Sequence, residues 1–235
     1  MPVQTYFYRR TCYYCCMTTV GSSKLREVAD NQFGLFTAAQ ARAHGVERYE
    51  LARATNHDVL RRVHHGVYAF TESDYWCSFE DWAAQWVALN PGGDIRRRRR
   101  QPEAIVSHQS AAAIQNLGSI TTNWLNLSGP HRINVRNQRT RSHCRPLGSV
   151  GVDWHLYEGL PVATPARIVS DLAGEVIDGG HLGTVLEHCL DDDLLTRTQL
   201  VDLCAPHARR WQLRAGDGDG LVDLLLSSAR EPIGA

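Results

Sequence analysis

The segment from Phe33 to Phe70 constrains the fold more than any other part of the chain, because it carries signals for two short helices and a hairpin in close succession. Thr37 and Gln40 have the spacing of a capping box, which predicts a helix over residues 38–44. Gly45 can adopt the left-handed backbone conformation that ends such a helix. The pattern therefore predicts a short first helix followed by a sharp turn.

A second helix is predicted directly after this turn. Its apolar residues recur at the spacing of one inner face, and its outer face is basic and aromatic, with Arg48, Tyr49 and Arg53. Asn56 is predicted to close the helix, because Asn tolerates a left-handed backbone better than most residues do.

The run from Leu60 to Phe70 has the composition of two strands around a turn at Gly66, which predicts a β-hairpin. Two helices joined at a glycine and followed by a basic hairpin predict a winged helix-turn-helix, whose second helix enters the major groove while the hairpin lies on the DNA backbone. The predicted DNA-binding residues are Thr37, Gln40, Arg48, Tyr49, Arg53, Arg61, Arg62, His64 and His65.

Charge is distributed unevenly along the 235 residues, although the net charge is zero. Residues 1–150 hold 19 Arg and Lys against 11 Asp and Glu, whereas residues 151–235 hold 6 against 14. Such asymmetry is expected when one half meets a polyanion and the other does not. No apolar run approaches the ~18 residues of a membrane-spanning helix, so we expect no membrane contact.

The seven cysteines predict a protein of the reducing cytoplasm rather than a disulfide framework, because their number is odd and their spacing irregular. Cys12 and Cys15 could begin a zinc site, but no second ligand pair follows at finger spacing, so we predict no metal site and no cofactor. Met17 is a plausible native start. We expect residues 1–16 to be an upstream extension and residues 1–23 to be a disordered tail.

The winged domain is predicted to span residues 24–71, with a first helix from Lys24 to about Asn31 bracing it. Residues 72–103 are predicted to be a connector that contains a helix with an aromatic face, over residues 72–89. The five consecutive arginines Arg96 to Arg100 cannot all be packed inside, so we expect a solvated linker. The alternative is an arm that contacts phosphates beside the winged domain through Arg96, Arg97, Arg98, Arg99 and Arg100.

Residues 104–230 are predicted to form a mixed α/β domain, which makes the whole chain α+β. Ser107 caps a predicted helix through Leu117, and Thr164 with Pro165 marks the start of another. Alternation predicts strands over residues 124–128, 132–136 and 150–157, and the remainder is helical. Arg167 and Asp171 lie one helical turn apart, and we interpret them as a structural pair. Arginines on and after the second strand form a second basic zone, which suits an edge strand as well as a nucleic-acid surface.

The capped first helix and four stretches after it together resemble the AbiEi family of antitoxins from type IV toxin-antitoxin systems. The stretches are Val-Glu-Arg-Tyr-Glu-Leu at residues 46–51, Leu-Arg-Arg-Val-His-His-Gly-Val-Tyr at residues 60–68, Val-Ser-His-Gln-Ser-Ala from Val106, and Val-Ala-Thr-Pro-Ala-Arg-Ile-Val-Ser-Asp-Leu-Ala from Val162. The resemblance covers about residues 24–175, and the hairpin is its most specific part.

The resemblance implies an autorepressor that binds double-stranded operator DNA at inverted repeats, as a homodimer, through its winged domain. It also implies a C-terminal domain that counteracts a nucleotidyltransferase-like toxin. Two alternatives remain: a stand-alone winged-helix transcriptional regulator, and a DNA-binding protein with a nuclease-like C-terminal domain. A nuclease of the Asp…Glu-x-Lys type is disfavoured because Lys24 is the chain's single lysine, and no catalytic residues are predicted.

Overall fold

The computed structural model describes residues 19–73, 78–133 and 139–230. The chain divides into two compact units, Met1–Arg100 and Gln101–Ala235. The predicted fold class is confirmed, because the first unit contains a winged helix-turn-helix and the second mixes helices with a sheet. Within the described ranges, no helix is long and apolar enough to cross a membrane.

The first unit packs helices against a three-stranded antiparallel sheet. Its elements are α1 (Thr19–Asp30), β1 (Leu35–Thr37), α2 (Ala38–Ala43), α3 (Arg48–Asn56), β2 (Leu60–His64), β3 (Val67–Phe70), α4 (Glu80–Leu89) and α5 (Ile95–Arg100). The strand order is β1-β3-β2, so the predicted hairpin of β2 and β3 gains a third strand from just before α2.

One apolar core holds the winged helix-turn-helix together. It consists of Leu25, Ala29, Phe36, Ala41, Val46, Leu51, Ala54, Leu60 and Phe70. Each fully buried Leu or Phe side chain contributes about 1.5–3 kcal/mol relative to an exposed one, so this cluster accounts for much of the stability of the unit. It includes Leu25 and Ala29 from α1 and Leu51 and Ala54 from α3.

The predicted caps and turns of the winged segment are confirmed except at the end of α3. Thr37 and Gln40 form the capping box, and Gly45 has the left-handed backbone with a φ of 78°. Asn56 is the last residue of α3, but the left-handed residue that follows the helix is Asp58, with a φ of 56°. Asp tolerates this conformation about as well as Asn, so the sequence could not decide between them.

The arginine run differs from the expected linker. Residues 95–100 form α5, and Arg98 is only 3% exposed. Its guanidinium lies 3.9 Å from the ring centroid of Trp86 and donates to the carbonyl oxygens of Trp86 at 2.7 Å and Val87 at 3.1 Å. These carbonyls belong to the last turn of α4, where backbone donors become scarce, although Val87 O also accepts from the backbone N–H of Asn90 at 3.3 Å. The prediction of a solvated run is therefore wrong for Arg98, which anchors α5 to α4.

The helix predicted over residues 72–89 begins only at Glu80. Trp76 lies outside the described residues, and Trp86, on the aromatic face of this helix, is fully buried. α1 begins at Thr19, earlier than the predicted Lys24, and most of the predicted N-terminal tail lies outside the described residues.

The second unit has a five-stranded mixed sheet covered by helices. Its elements are β4 (Ile105–Val106), α6 (His108–Ile114), β5 (Leu125–Gly129), β6 (Thr140–Cys144), β7 (Trp154–Tyr157), β8 (Leu160–Ala163), α7 (Pro165–Glu175), α8 (Gly179–Asp191), α9 (Arg197–Cys204), a 3-10 helix (Ala205–Trp211) and α10 (Gly218–Ala229). The strand order is β6-β5-β4-β8-β7, in which β4 pairs parallel with β8 and antiparallel with β5.

The sequence missed one strand of this unit and misplaced the start of another. β6 covers residues 140–144, where no strand was predicted, and the strand predicted over 132–136 lies partly outside the described residues. The strand predicted over 150–157 begins only at Trp154, because a turn precedes it. In that turn Gly148 and Gly151 have positive φ, and the Asp153 carboxylate accepts from the backbone N–H of Ser149 at 2.7 Å.

Candidate nucleic-acid interface

The outer face of α3 is basic and exposed. Arg48, Tyr49 and Arg53 all project into solvent, and 71% of Tyr49 is accessible. Leu51 and Ala54 hold the opposite face of the helix in the core, so the helix cannot rotate without exposing them. Among the described residues, neither Arg48 nor Arg53 forms an ion pair, so both guanidinium groups present their full charge to solvent.

The hairpin presents a second exposed basic group beside α3. Arg62 and His65 are exposed, and Arg62 Nη2 donates to Nδ1 of His65 at 2.8 Å. Gly66, with a φ of 72°, makes the turn between the strands. His64 is half-buried, and its burial lowers the pKa of its imidazole, which favours the uncharged form.

A shallow groove separates α3 from the hairpin. It is lined by Ala38, Arg48, Tyr49, Ala52, Arg62, His65, Gly66 and Tyr68. Two of the predicted residues on α3 and two on the hairpin therefore meet along one concave surface. The sequence missed Ala38, Ala52 and Tyr68 because small or aromatic residues carry no nucleic-acid signal of their own. The only sign of a groove in the sequence was that Ala38 and Ala52 have small side chains.

Arg61 is placed differently from its neighbour Arg62. Its guanidinium forms two hydrogen bonds to the carboxylate of Glu80 at the start of α4, one of them at 2.6 Å. This contact raises the pKa of Arg61. A bidentate pair of this kind fixes both side chains geometrically. We therefore assign Arg61 to the bracing of the hairpin against α4 rather than to phosphate contact.

Thr37 and Gln40 serve the fold rather than the predicted DNA contact. Thr37 is 1% exposed, and its hydroxyl accepts from the backbone N–H of Gln40 and donates to the carbonyl of Pro91. The Gln40 amide oxygen accepts from Thr37 N at 2.9 Å, and its amide group is doubly hydrogen-bonded to Gln32. With their hydrogen-bonding groups engaged internally, these two residues are removed from the predicted interface.

The outward members of the arginine run keep their charge at the surface. Arg96, Arg97 and Arg100 are exposed, whereas Arg99 lies over the ring of Phe33 at 5.3 Å from its centroid. Only these three guanidinium groups, on one short helix, are left for the phosphate-contacting arm considered from the sequence. That such an arm contacts phosphates stays a prediction.

The comparisons with known proteins concern mainly the winged segment. Residues 23–71 match a family model described as "Transcriptional regulator, AbiEi antitoxin". The resemblance inferred from the sequence is confirmed for these residues, whereas the motifs that begin at Val106 and Val162 lie outside the matched range. No curated protein matches the chain.

One similar solved structure is the crystal structure of the RV2827C protein from Mycobacterium tuberculosis. The match covers 92% of this chain and 79% of that chain, with 15% sequence identity and a TM-score of 0.50. At this identity the likeness concerns the fold alone.

Proposed function

We propose that the protein is an antitoxin of the type IV class that represses its own operon by binding operator DNA through its winged unit. The observation that carries the DNA-binding part is the groove between α3 and the hairpin, where Arg48, Tyr49, Arg62 and His65 meet on one exposed surface. The family match at residues 23–71 supports a transcriptional regulator of this type.

The groove suggests a division of labour among its residues. Arg48 and Tyr49 occupy the first turn of α3, and in helix-turn-helix proteins the N-terminal residues of the recognition helix contact base edges. Arg62 and His65 at the hairpin turn are placed to contact phosphates, which fix the register of the protein without reading sequence. Arg53 lies further along α3 and adds a further phosphate contact.

Two copies of the winged unit are needed for useful specificity, because one recognition helix covers only a few base pairs. We therefore propose that two chains bind an inverted repeat whose half-sites lie about one helical turn, or a multiple of it, apart. The second unit, which carries the acidic half of the sequence, counteracts a nucleotidyltransferase-like toxin in this proposal. The proposal that the second unit counteracts a toxin rests on the family match alone. It does not require that the second unit contacts the toxin directly.

Footprinting of the full-length protein on the DNA upstream of its own gene tests this proposal. Two protected half-sites related by inverted symmetry are expected, and Tyr49→Ala should reduce the preference for this DNA over an unrelated fragment of equal length. Arg214→Ala is the matched control, since Arg214 is exposed in the second unit. Protection of a single unrepeated site, or equal binding to both fragments, would contradict the proposal.

A further inference from the structure

The second unit contains a cluster of histidine and carboxylate side chains that the proposed function does not use. His108 begins α6, His143 lies on β6 and Glu175 ends α7, and one ligand atom from each lies within 4.8 Å of the others. Oε1 of Glu175 is 3.6 Å from Nε2 of His108 and 3.4 Å from Nδ1 of His143. Three distant parts of the sequence therefore converge on one point.

Hydrogen bonding fixes which nitrogen of His143 faces Glu175. Nε2 of His143 lies 3.0 Å from Oδ1 of Asn126, and the Asn126 amide nitrogen donates to Ser110 Oγ at 3.2 Å. Since Oδ1 of Asn126 can only accept, Nε2 carries the proton. Nδ1 of His143 therefore directs a lone pair at the Glu175 carboxylate.

His108 is arranged in the same way. Its Nδ1 lies 2.8 Å from Ser107 Oγ and 3.7 Å from Oδ2 of Asp171, whose carboxylate is fully buried. With Nδ1 engaged on this side, Nε2 is the ring nitrogen that faces Glu175, and in the tautomer with the proton on Nδ1 it can donate a lone pair to an ion. Across the described ranges, Nε2 of His108 is the one buried side-chain nitrogen or oxygen that lacks a hydrogen-bond partner.

The backbone at His108 adds a second unusual feature. Its φ is 53°, a left-handed conformation that residues other than glycine seldom adopt, and its side chain is 1% exposed. Burial, the neighbouring His143 and the charges of Arg145 and Arg167 lower the pKa of His108 to about 3. A strained and buried residue whose acceptor atom is unpartnered is characteristic of a binding site.

We infer that His108, His143 and Glu175 bind one divalent transition-metal ion, with Zn²⁺ as the best fit. A single proton on Glu175 could satisfy only one of the two histidine nitrogens, whereas a cation at the meeting point satisfies all three atoms. Tetrahedral zinc with bonds of about 2.0–2.1 Å has ligand atoms roughly 3.3–3.4 Å apart. The observed separations of 3.4 Å and 3.6 Å are close to that value.

The types of ligand atom select the kind of metal. Arg145 and Arg167 both bond to Asp171, at 2.9 Å and 3.1 Å, and their charge opposes any cation here, so binding depends on strong bonds to the ligand atoms. Two imidazole nitrogens and one carboxylate oxygen suit zinc and its neighbours in the first transition row. Three protein ligands leave a fourth position for water or an incoming group.

Coordination by both histidines requires one ring to turn. The two rings stack with centroids 3.7 Å apart and planes at 18°, whereas a bound ion lies in the plane of each ligating ring. His143 is the more exposed of the two and lies on β6, the edge strand of the sheet. We therefore expect metal binding to tilt the His143 ring and to leave His108 in place.

The test uses full-length protein in which Cys12, Cys15 and Cys16 are replaced by Ser, so that N-terminal thiols do not contribute. After chelation and dialysis, Zn²⁺ or Co²⁺ is titrated, and metal content, the Co²⁺ absorption spectrum and the melting temperature are measured. We expect one equivalent per chain, ligand-field bands from nitrogen and oxygen ligands, and a higher melting temperature with metal.

Glu175→Gln and His143→Ala should each weaken metal affinity by at least 10- to 100-fold and abolish the rise in melting temperature. His188→Ala is the matched control, because His188 forms an exposed pair with Asp192 elsewhere in this unit and should leave metal binding unchanged. Glu175→Gln is nearly isosteric, so it remains informative if His143→Ala fails to fold. Undiminished metal binding by the folded Glu175→Gln protein, or no binding by the starting protein, would overturn the inference.

Discussion

Arg61 and Arg62 are neighbours in the sequence, yet the structure gives them different partners. Arg61 is held by Glu80, whereas Arg62 contacts His65 at the exposed turn. A sequence pattern assigns both to DNA because it records charge but not the carboxylate that arrives from α4. The two residues therefore make a matched pair of substitutions.

Arg62→Ala should lower operator affinity several-fold or more, because it removes a phosphate contact from each copy of the protein. Arg61→Ala should lower the affinity less and should cost about 0.2–1 kcal/mol of stability, the usual range for an exposed ion pair. Fluorescence anisotropy with a labelled operator and urea denaturation measure the two effects. Equal losses of affinity in both variants would show that Arg61 leaves Glu80 and contacts DNA.

Arg98 provides a prediction about stability. Arg98→Ala should lower the free energy of unfolding by about 2–3 kcal/mol, since it leaves carbonyls at the end of α4 without their charged donor. Arg96→Ala, an exposed neighbour on the same helix, should change it by no more than about 0.5 kcal/mol. Chemical denaturation followed by circular dichroism measures the free energy of unfolding of both variants. Similar losses in the two variants would mean that α5 is not anchored by Arg98.

At the scale of elements, the sequence predicted what local chemistry determines. The capping box at Thr37, the cap at Thr164 and the left-handed Gly45 all lie where expected, because each depends on residues only a few positions apart. The register of β6 and the anchoring of Arg98 depend on partners far along the chain, so periodicity could not reveal them.

For the candidate interface too, the sequence predicted the local features and missed the contacts between residues far apart in the chain. Exposure of Arg48, Tyr49 and Arg53 follows from helical periodicity, whereas the engagement of Arg61 by Glu80 is a tertiary contact. The cluster of His108, His143 and Glu175 was missed entirely, because its members lie on three elements with no motif spacing between them.

Close packing of α8 against α10 depends on Gly183. A Cβ atom at this position would clash with the backbone carbonyl oxygen of Leu225, so Gly183→Ala should lower the free energy of unfolding by about 1–3 kcal/mol or more. Gly179→Ala in the same helix is the control, because its nearest neighbour would be at an ordinary 3.5 Å. If both variants unfold at the same denaturant concentration, the helices do not approach as closely as described.

At the scale of the whole molecule, the two units are expected to carry separable functions. The double variant Arg48→Ala/Arg62→Ala should lose operator binding but still neutralise the toxin in cells when it is expressed from an unrelated promoter. Cell survival on toxin induction measures neutralisation, and a reporter fused to the native promoter measures repression.

Loss of both activities in a folded double variant would mean that the winged unit itself takes part in neutralisation. Absence of protection by the wild-type protein against the product of any neighbouring gene would favour the stand-alone regulator.

The salt dependence of operator binding tests the central claim most directly. If Arg48 brings its charge to a base edge, and Arg53 and Arg62 bring theirs to phosphates, in both copies of the protein, roughly six counterions are released, and log affinity should fall with log salt at a slope near −5. Assigning Arg61 to phosphate as well would steepen this slope to about −7. A slope shallower than about −2 would show that the face of α3 and the hairpin is not the DNA interface.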